Sequence, residues 1–269
     1  QATAATLPWI AILLYTGLRI RFPRPLPAPG TSGSTHGPSG DPDEGGRAVR
    51  AFTADEAVPK AGDAPEGADR PPFVSIVVPA RNEAVTIETC IRHLAAGRYP
   101  GFEVIVVDDR SEDGTAALAR AMDSGRATGF RVIDGKPLPE GWLGKPWACW
   151  QGFQEASGDL VLFTDADTRH GPDLLERAVA AMEEDEADAV TLMGRQLMES
   201  FWEKVVQPQL FVALAIRFPR LDRVVGEERC GSAAANGQFI LVNRDAYEAI
   251  DGHRSVRGEV VEDLRLAQN

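Results

Sequence analysis

The chain has 269 residues, 43% hydrophobic and 25% charged, a composition that supports one large globular domain of about 200 residues with appendages. Forty acidic side chains against 28 basic ones leave a net charge of −12, which argues against a basic stripe tracking a phosphate backbone and so against a nucleic-acid partner. Cys90, Cys149 and Cys230 are odd in number and form no CxxC pair; neither a disulfide framework nor a thiolate zinc site is indicated, and a reducing compartment fits.

Residues 1–18 carry no charge, and the LPWIAILLYTGL within them is strongly apolar, at the short end of what crosses a bilayer. The chain opens at Gln1, and Arg19, Arg21 and Arg24 follow the apolar run directly. The expectation is a membrane anchor over residues 1–21, shortened at its front, with the basic cluster setting the following segment in the cytoplasm. A buried helix or the remnant of a signal peptide fits the same residues. Residues 22–72 hold ten of the nineteen prolines together with many Gly, Ser and acidic residues. Such a segment cannot bury a core and reads as a disordered tether, with His36 a solvated side chain in it.

The globular domain is expected over residues 73–269. FVSIVVP, FEVIVVDD and DLVLFTDAD are apolar throughout rather than alternating, which predicts strands buried on both faces. Helical patterns lie between and after them at 83–96, 113–122 and 148–156. Strand and helix in alternation predict an α/β domain, a parallel sheet wrapped by helices, with ligands at the carboxyl ends of the strands. There the unusual polar residues gather, as PARNE, DDRSEDGT and TDADTRH. None contains GxGxxG or GxxxxGK[ST], so neither common glycine-rich phosphate loop is present.

Asp165 and Asp167 offer two carboxylates at a strand end, the oxygen ligands that hard cations such as Mg²⁺ or Mn²⁺ take; capping the helix that starts near Pro172 is the plainer role for them. Asp108 and Asp109 leave a buried strand where a base or ribose hydroxyl would need acceptors, while Ser111, Asp113 and Gly114 supply turn and capping chemistry. Lys145, just ahead of a helix, can hold a phosphate as a point charge, and Trp147 and Trp150 read as packing. Residues 201–221, apolar and aromatic with two arginines at the far end, fit either a core helix or a surface lying on a membrane. In CGSAAANGQFILVNRDAY small residues lead to a strand, leaving room for a ligand near the backbone. In GHRSVRGEVVEDLRLAQ, Glu262 and Asp263 open a helix, where a carboxylate is ordinarily a cap.

Taken in order, VSIVVPARNE, VVDDRSEDGT, the GK of GWLGKPWA, FTDAD, ANGQF and VVED resemble the family 2 inverting glycosyltransferases, over residues 74–263. GWLGKPWAC and GHRSVRGEVVED are most similar to the membrane-associated hopanoid and carotenoid lipid glycosyltransferases. The resemblance implies a GT-A fold, a Rossmann-like and mostly parallel sheet flanked by helices. It implies a nucleotide-sugar donor, UDP-linked in preference to GDP-linked, a divalent metal, Mg²⁺ or Mn²⁺, and a hydroxyl acceptor on a lipid. By the same resemblance Pro79, Arg81, Asn82 and Glu83 lie along the nucleotide, Asp109 near the base with Asp108 supporting it, and Lys145 at the diphosphate. Asp167 is the first-choice metal ligand, and Asp165 the ribose or sugar contact that shares in the metal site. Asp263 is the general base with Glu262 beside it, and Gly237 and Gln238 line the acceptor side. Inversion needs one base on the acceptor face and charge neutralisation on the leaving-diphosphate face, which Asp263 and the metal would supply.

The QxxRW motif and later spans of membrane-associated members are not met before Asn269, so the expected catalytic domain is truncated within or just after the base helix. Three rival readings stand beside this one. VLFTDADT fits the nucleophile motif of haloacid-dehalogenase-like phosphatases, although that motif opens its domain and here two strand–helix units precede it. A sugar-nucleotide-forming nucleotidyltransferase would need a Gly-rich first loop in place of PARNE. The third rival is a non-catalytic fragment that only binds a nucleotide sugar.

Overall fold

The computed structural model describes residues 48–53, 70–198, 200–217, 225–226 and 235–269. The expected anchor, residues 1–21, and most of the expected tether lie outside them. Among the described residues no helix is long and apolar enough to cross a membrane.

The strands are β1 (Ala48–Thr53), β2 (Val74–Ala80), β3 (Phe102–Asp108), β4 (Gly129–Asp134), β5 (Leu160–Phe163), β6 (Ala189–Met193), β7 (Val225–Gly226) and β8 (Ile240–Asn243). They form one sheet in the order β4-β3-β2-β5-β8-β6-β1-β7. β2 pairs in parallel with both β3 and β5, β3 with β4, and β1 with β6. β8 runs against β5 and β6, with Phe163 opposite Ile240, and β7 runs against β1. The mostly parallel sheet of the sequence reading is therefore present. The helices are α1 (Ile87–Ala95), α2 (Thr115–Arg120), α3 (Gly144–Glu155), α4 (Leu174–Glu184), α5 (Phe201–Arg217), α6 (Arg244–Ala249), α7 (Gly252–Ser255) and α8 (Glu262–Gln268).

Unbroken apolar runs follow from cover on both faces. Ile76, Val78, Val104 and Val106 pack with Ile87, Ile91 and Leu94 of α1 and with Leu175 and Val179 of α4. Their neighbours in sequence, Val77, Ile105 and Val107, pack on the opposite face with Ala148 and Phe153 of α3 and Tyr247 of α6. Each such side chain, removed from water, contributes about 1.5–3 kcal/mol. The buried polar exceptions near the amino ends, Ser75 of β2 and Glu103 of β3, satisfy each other through a hydrogen bond from Ser75 Oγ to Glu103 Oε1. The polar clusters of the sequence lie at the carboxyl ends.

Two sequence expectations change. Ala48–Thr53, inside the segment expected to be a tether, is β1 and pairs with β6 from Val49↔Ala189 to Thr53↔Met193. β1 satisfies backbone groups that the edge of β6 would otherwise leave open, and AVRAFT between Pro- and Gly-rich flanks is too short to show a periodicity. α3 begins at Gly144, earlier than residue 148, so Lys145 lies inside its first turn. Pro146 is tolerated there because the first-turn N–H groups have no intrahelical acceptor anyway. On α5, among the side chains described, Phe201, Trp202, Val205, Val206, Val212 and Ile216 are exposed.

α3 approaches the sheet closely through Gly152, where a Cβ would sit 2.3 Å from Val77 Cγ1 and 3.0 Å from Val107 Cγ2. Both neighbours are buried, β-branched and stiff. Gly152→Val is expected to lower stability by about 2–3 kcal/mol, a clash larger than the few tenths that valine gains over glycine in helix propensity. Thermal unfolding followed by circular dichroism would register this as a fall of several degrees.

Candidate active site

The first two strand-end loops are clamped to each other. Asn82 N–H donates to Ser111 Oγ (2.9 Å), Glu112 N–H to Asn82 Oδ1 (2.9 Å), Glu83 N–H to Thr115 Oγ1 (2.8 Å) and Ala84 N–H to Asp113 Oδ2 (3.0 Å). Asn82 and Arg110, at the loop tips, both take positive φ, 57° each, a conformation asparagine tolerates better than most residues. Thr86 donates to Glu83 Oε2. Asp109 is buried, with its carboxylate oxygens 3.5 Å from Arg81 and from Arg110. Asp108 Oδ2 accepts from Ser111 N–H, while Asp108 Oδ1 is buried without a hydrogen-bond partner among the described residues.

A cavity of about 360 Å³ opens over these strand ends. Pro79, Arg81, Glu83, Asp109, Lys145, Asp165 and Asp167 all reach its wall, and so does Gly144 at the start of α3. Asn82 and Asp108 do not; Asn82 is occupied in clamping the loops and Asp108 lies buried. No side chain caps the N-terminus of α3, so its first N–H groups and the positive end of its dipole face an anion-sized space. The tryptophans are packing residues, with Trp142 against Trp147 at 5.0 Å and Trp150 against Phe153 at 5.7 Å.

Lys145 gathers the acidic residues of the site. Its Nζ lies 2.7 Å from Asp165 Oδ1 and 3.2 Å from Glu262 Oε1. Burial acts to lower the lysine pKa, but the facing carboxylates outweigh it and hold the ammonium above its ordinary range. Burial pushes the Asp165 carboxyl up; Lys145 opposes this, and Asp167 and Asp263 add to it. Cys149, buried beside them, has its thiol pushed up by the same burial and is no nucleophile at neutral pH.

Glu262 and Asp263 do open a helix, α8. Asp263 Oδ2 accepts from Gly237 N–H (2.9 Å) and Asp263 Oδ1 from Leu264 N–H (2.7 Å). The approach is close: a Cβ at position 237 would sit 2.7 Å from Lys145 Nζ and 3.3 Å from Asp263 Oδ2, so a larger residue there would displace the end of the lysine. Gln238 lies instead on a second cavity, of about 450 Å³, whose wall also includes Asp167. Asp167 thus borders both cavities.

Neither Asp165 nor Asp167 caps the next helix; α4 is preceded by Asp173. A network that sequence reasoning missed holds their loop. Thr164 Oγ1 donates to Gln238 O (2.7 Å) and Thr168 Oγ1 to Asp165 O (2.8 Å). With both hydroxyl protons used, the contacts from His170 Nε2 to Thr164 Oγ1 (2.9 Å) and Thr168 Oγ1 (3.2 Å) require an Nε2–H donor. The only sequence signal was the run of polar residues in TDADTRH.

Among the described residues no group of three or more His, Cys, Asp or Glu side chains could hold a metal ion. Asp165 and Asp167 nevertheless fit a hard cation of the kind that takes one or two carboxylates and completes its shell with substrate phosphates and water. Lys145 already engages Asp165, whereas the exposed Asp167 carboxylate has no hydrogen bond or ion pair with the described residues.

A family model described as glycosyl transferase family 2 matches residues 75–250. The chain belongs to glycosyl transferase family 2. The 4,4'-diaponeurosporenoate glycosyltransferase of Staphylococcus aureus (strain MRSA252) is 28% identical over 200 residues, 72% of this chain and 50% of that protein. The corresponding protein of strain USA300 is 27% identical over 195 residues, again 72% of this chain and 50% of that protein. The chain spans about half the length of the curated relatives it matches. The crystal structure of Staphylococcus aureus TarS 1-349 shares the fold, with a TM-score of 0.50 at 21% identity, covering 72% of this chain and 54% of that chain. The sheet and its flanking helices are thus those of the GT-A glycosyltransferases, and the phosphatase and nucleotidyltransferase readings fall away. Glu262 and Asp263 lie beyond the span that the family model matches.

The buried histidines set a pH dependence. Burial draws His170 down to about 4, with His93 adding to the effect, and burial draws His253 down to about 3, with Lys145 adding to it. Unfolded histidine titrates near about 6.5. Below that pH the unfolded chain takes up protons that the folded chain refuses, so stability is complete above about 6.5 and is lost as pH falls towards 4. The urea midpoint is expected to fall through this window in the native chain, and less steeply in His170→Gln.

Proposed function

We propose that this chain carries the donor site and the base of an inverting glycosyltransferase that moves a sugar from a nucleotide sugar, UDP-linked in preference to GDP-linked, onto a hydroxyl of a lipid acceptor. The observation that carries the reading is the meeting of two cavities at Asp167, one over the strand ends of β2 and β3 and one bordered by Gln238. A donor in the first would present its sugar to an acceptor in the second.

Pro79, Arg81 and Glu83 would line the nucleoside, Asp109 would accept hydrogen bonds from it, and Asp108 and Asn82 would support the loops beneath. The uncapped start of α3 and the Lys145 ammonium would face the diphosphate, the helix as a dipole and the lysine as a point charge. Asp167, with Asp165, would hold a Mg²⁺ or Mn²⁺ ion, which when bound supplies Lewis-acid neutralisation of the leaving diphosphate. Asp263 would take the proton from the acceptor hydroxyl as its oxygen attacks the anomeric carbon from the face opposite the diphosphate, which inverts the centre. The hydrogen bonds from Gly237 and Leu264 fix that carboxylate while lone pairs remain for the hydroxyl. Glu262, buried and paired with Lys145, would position the lysine.

A lipid acceptor is supported by the relatives named for 4,4'-diaponeurosporenoate and by the exposed apolar side chains of α5. In this reading residues 1–21 anchor the chain to a membrane, residues 22–72 tether it apart from β1, and the catalytic domain, residues 73–269, works on the cytoplasmic side.

Calorimetric titration of the full chain with UDP and GDP, with and without Mn²⁺, tests the donor site. Metal-dependent binding of UDP in preference to GDP, lost in Asp167→Ala, is the expected result; a folded chain that binds neither nucleotide under any metal condition would overturn it. Asp263→Asn is expected to keep nucleotide binding and to lower turnover by about 10²-fold or more. Turnover unchanged in that variant would remove Asp263 from the base role.

A further inference from the structure

The cavity of about 450 Å³ beside Asp167 differs in charge from the chain as a whole. In a protein of net charge −12, Arg169, Arg177 and Arg195 converge on its wall. They come from the loop after β5, from α4 and from the segment after β6. Arg169 and Arg195 are exposed, and among the described residues neither has an ion-pair partner. The three guanidinium groups outnumber the one carboxylate on that wall, Asp167, so an anion that enters meets a net positive lining.

Gln238 adds a directed donor. Its Oε1 accepts from Gln196 Nε2 (2.9 Å) and from Asn236 Nδ2 (3.1 Å). Two donors on that oxygen fix the amide orientation and leave the Nε2–H₂ group for whatever enters the cavity. The wall also includes polar Thr168, His170 and Gln196 and apolar Leu174, Leu192 and Phe239, and Leu197, which is 64% exposed, lines it too. Phe201 and Trp202, 69% and 64% exposed, follow Leu197 so closely that the chain cannot carry Phe201 more than about 14 Å from it. Cationic and amide donors therefore share the wall with Leu174 and Leu197, and exposed aromatic side chains follow nearby in the chain.

We propose that this cavity is an acceptor subsite for an amphiphile that carries an anionic oxygen group, a carboxylate or a phosphate, near its reacting end. Arg169, Arg195 and Gln238 bind the anion, and Leu174 and Leu197 receive the first part of the apolar chain. The assignment rests on the donor reading of the neighbouring cavity and adds to it the charge and polarity of what is glycosylated. A neutral lipid would leave the arginines without partners, and a small free anion would leave the leucines uncovered.

Titration of the full chain with decyl phosphate, decanoate, decyl maltoside and inorganic phosphate, each below its micelle concentration, tests this. Decyl phosphate or decanoate is expected to bind at least about 10-fold more tightly than decyl maltoside and than inorganic phosphate; the tighter of the two identifies the anion as phosphate or carboxylate. The double variant Arg169→Gln with Arg195→Gln is expected to lose about 10-fold or more of that affinity while UDP binding with Mn²⁺ stays unchanged. Equal binding of the anionic and neutral amphiphiles, or no loss in the double variant, would overturn the proposal. Inorganic phosphate binding as tightly as decyl phosphate would overturn its apolar half. Failure of UDP to bind while the arginine-dependent amphiphile binding persists would count against the donor reading alone.

Discussion

One ammonium group holds the site together. Lys145 Nζ links the end of β5 through Asp165 to the start of α8 through Glu262, with Gly237 and the Asp263 carboxylate at its side. Three segments far apart in sequence meet around a single positive charge. Partly buried carboxylates this close would repel one another without it. The arrangement is also electrostatically incomplete. Asp165, Asp167, Glu262 and Asp263 outnumber the one lysine on this side of the site, while Arg169, Arg177 and Arg195 face Asp167 from the neighbouring cavity. Placement at the strand ends is what lets so much charge collect, because both faces of β2, β3 and β5 are closed by apolar packing.

The loops after β2 and β3 are rigid by construction. Four hydrogen bonds between the loops after β2 and β3, and the left-handed backbone at Asn82 and Arg110, define one shape for the floor of the cavity. Residues held in such conformations cost energy that the surrounding structure must offset, which is usual where a ligand is bound. The Thr164–His170–Thr168 network does the same for the loop that carries Asp165 and Asp167, through neutral groups only.

Much of this was legible in the sequence, and for a physical reason. A strand buried on both faces leaves an unbroken apolar run, so FVSIVVP, FEVIVVDD and DLVLFTDAD announced themselves and the polar residues at their ends marked the crevice. β4 was silent because its side chains are only partly covered, and β1 because six residues between prolines and glycines carry no period. Asn82 resembled a ligand contact in sequence, since nothing in PARNE tells a side chain that meets substrate from one that accepts Glu112 N–H. The ion pairs of Lys145, and the meeting of Arg169, Arg177 and Arg195 on one wall, depend on contacts between elements that no local pattern encodes.

β8 runs against its neighbours, and that reversal sets where Ile240 lies. Ile240 pairs with Phe163 at the very end of β5. The chain therefore departs after Phe163, builds α4, β6 and α5, and returns beside its own point of departure. On the way β6 is itself bound into the sheet, pairing with β8 from Ala189↔Val242 to Thr191↔Ile240. Asp165, just past Phe163, and Gly237, just before Ile240, are therefore neighbours across one rung although a long stretch of chain separates them. Their proximity is a property of strand order, fixed before any side chain of the two loops is chosen.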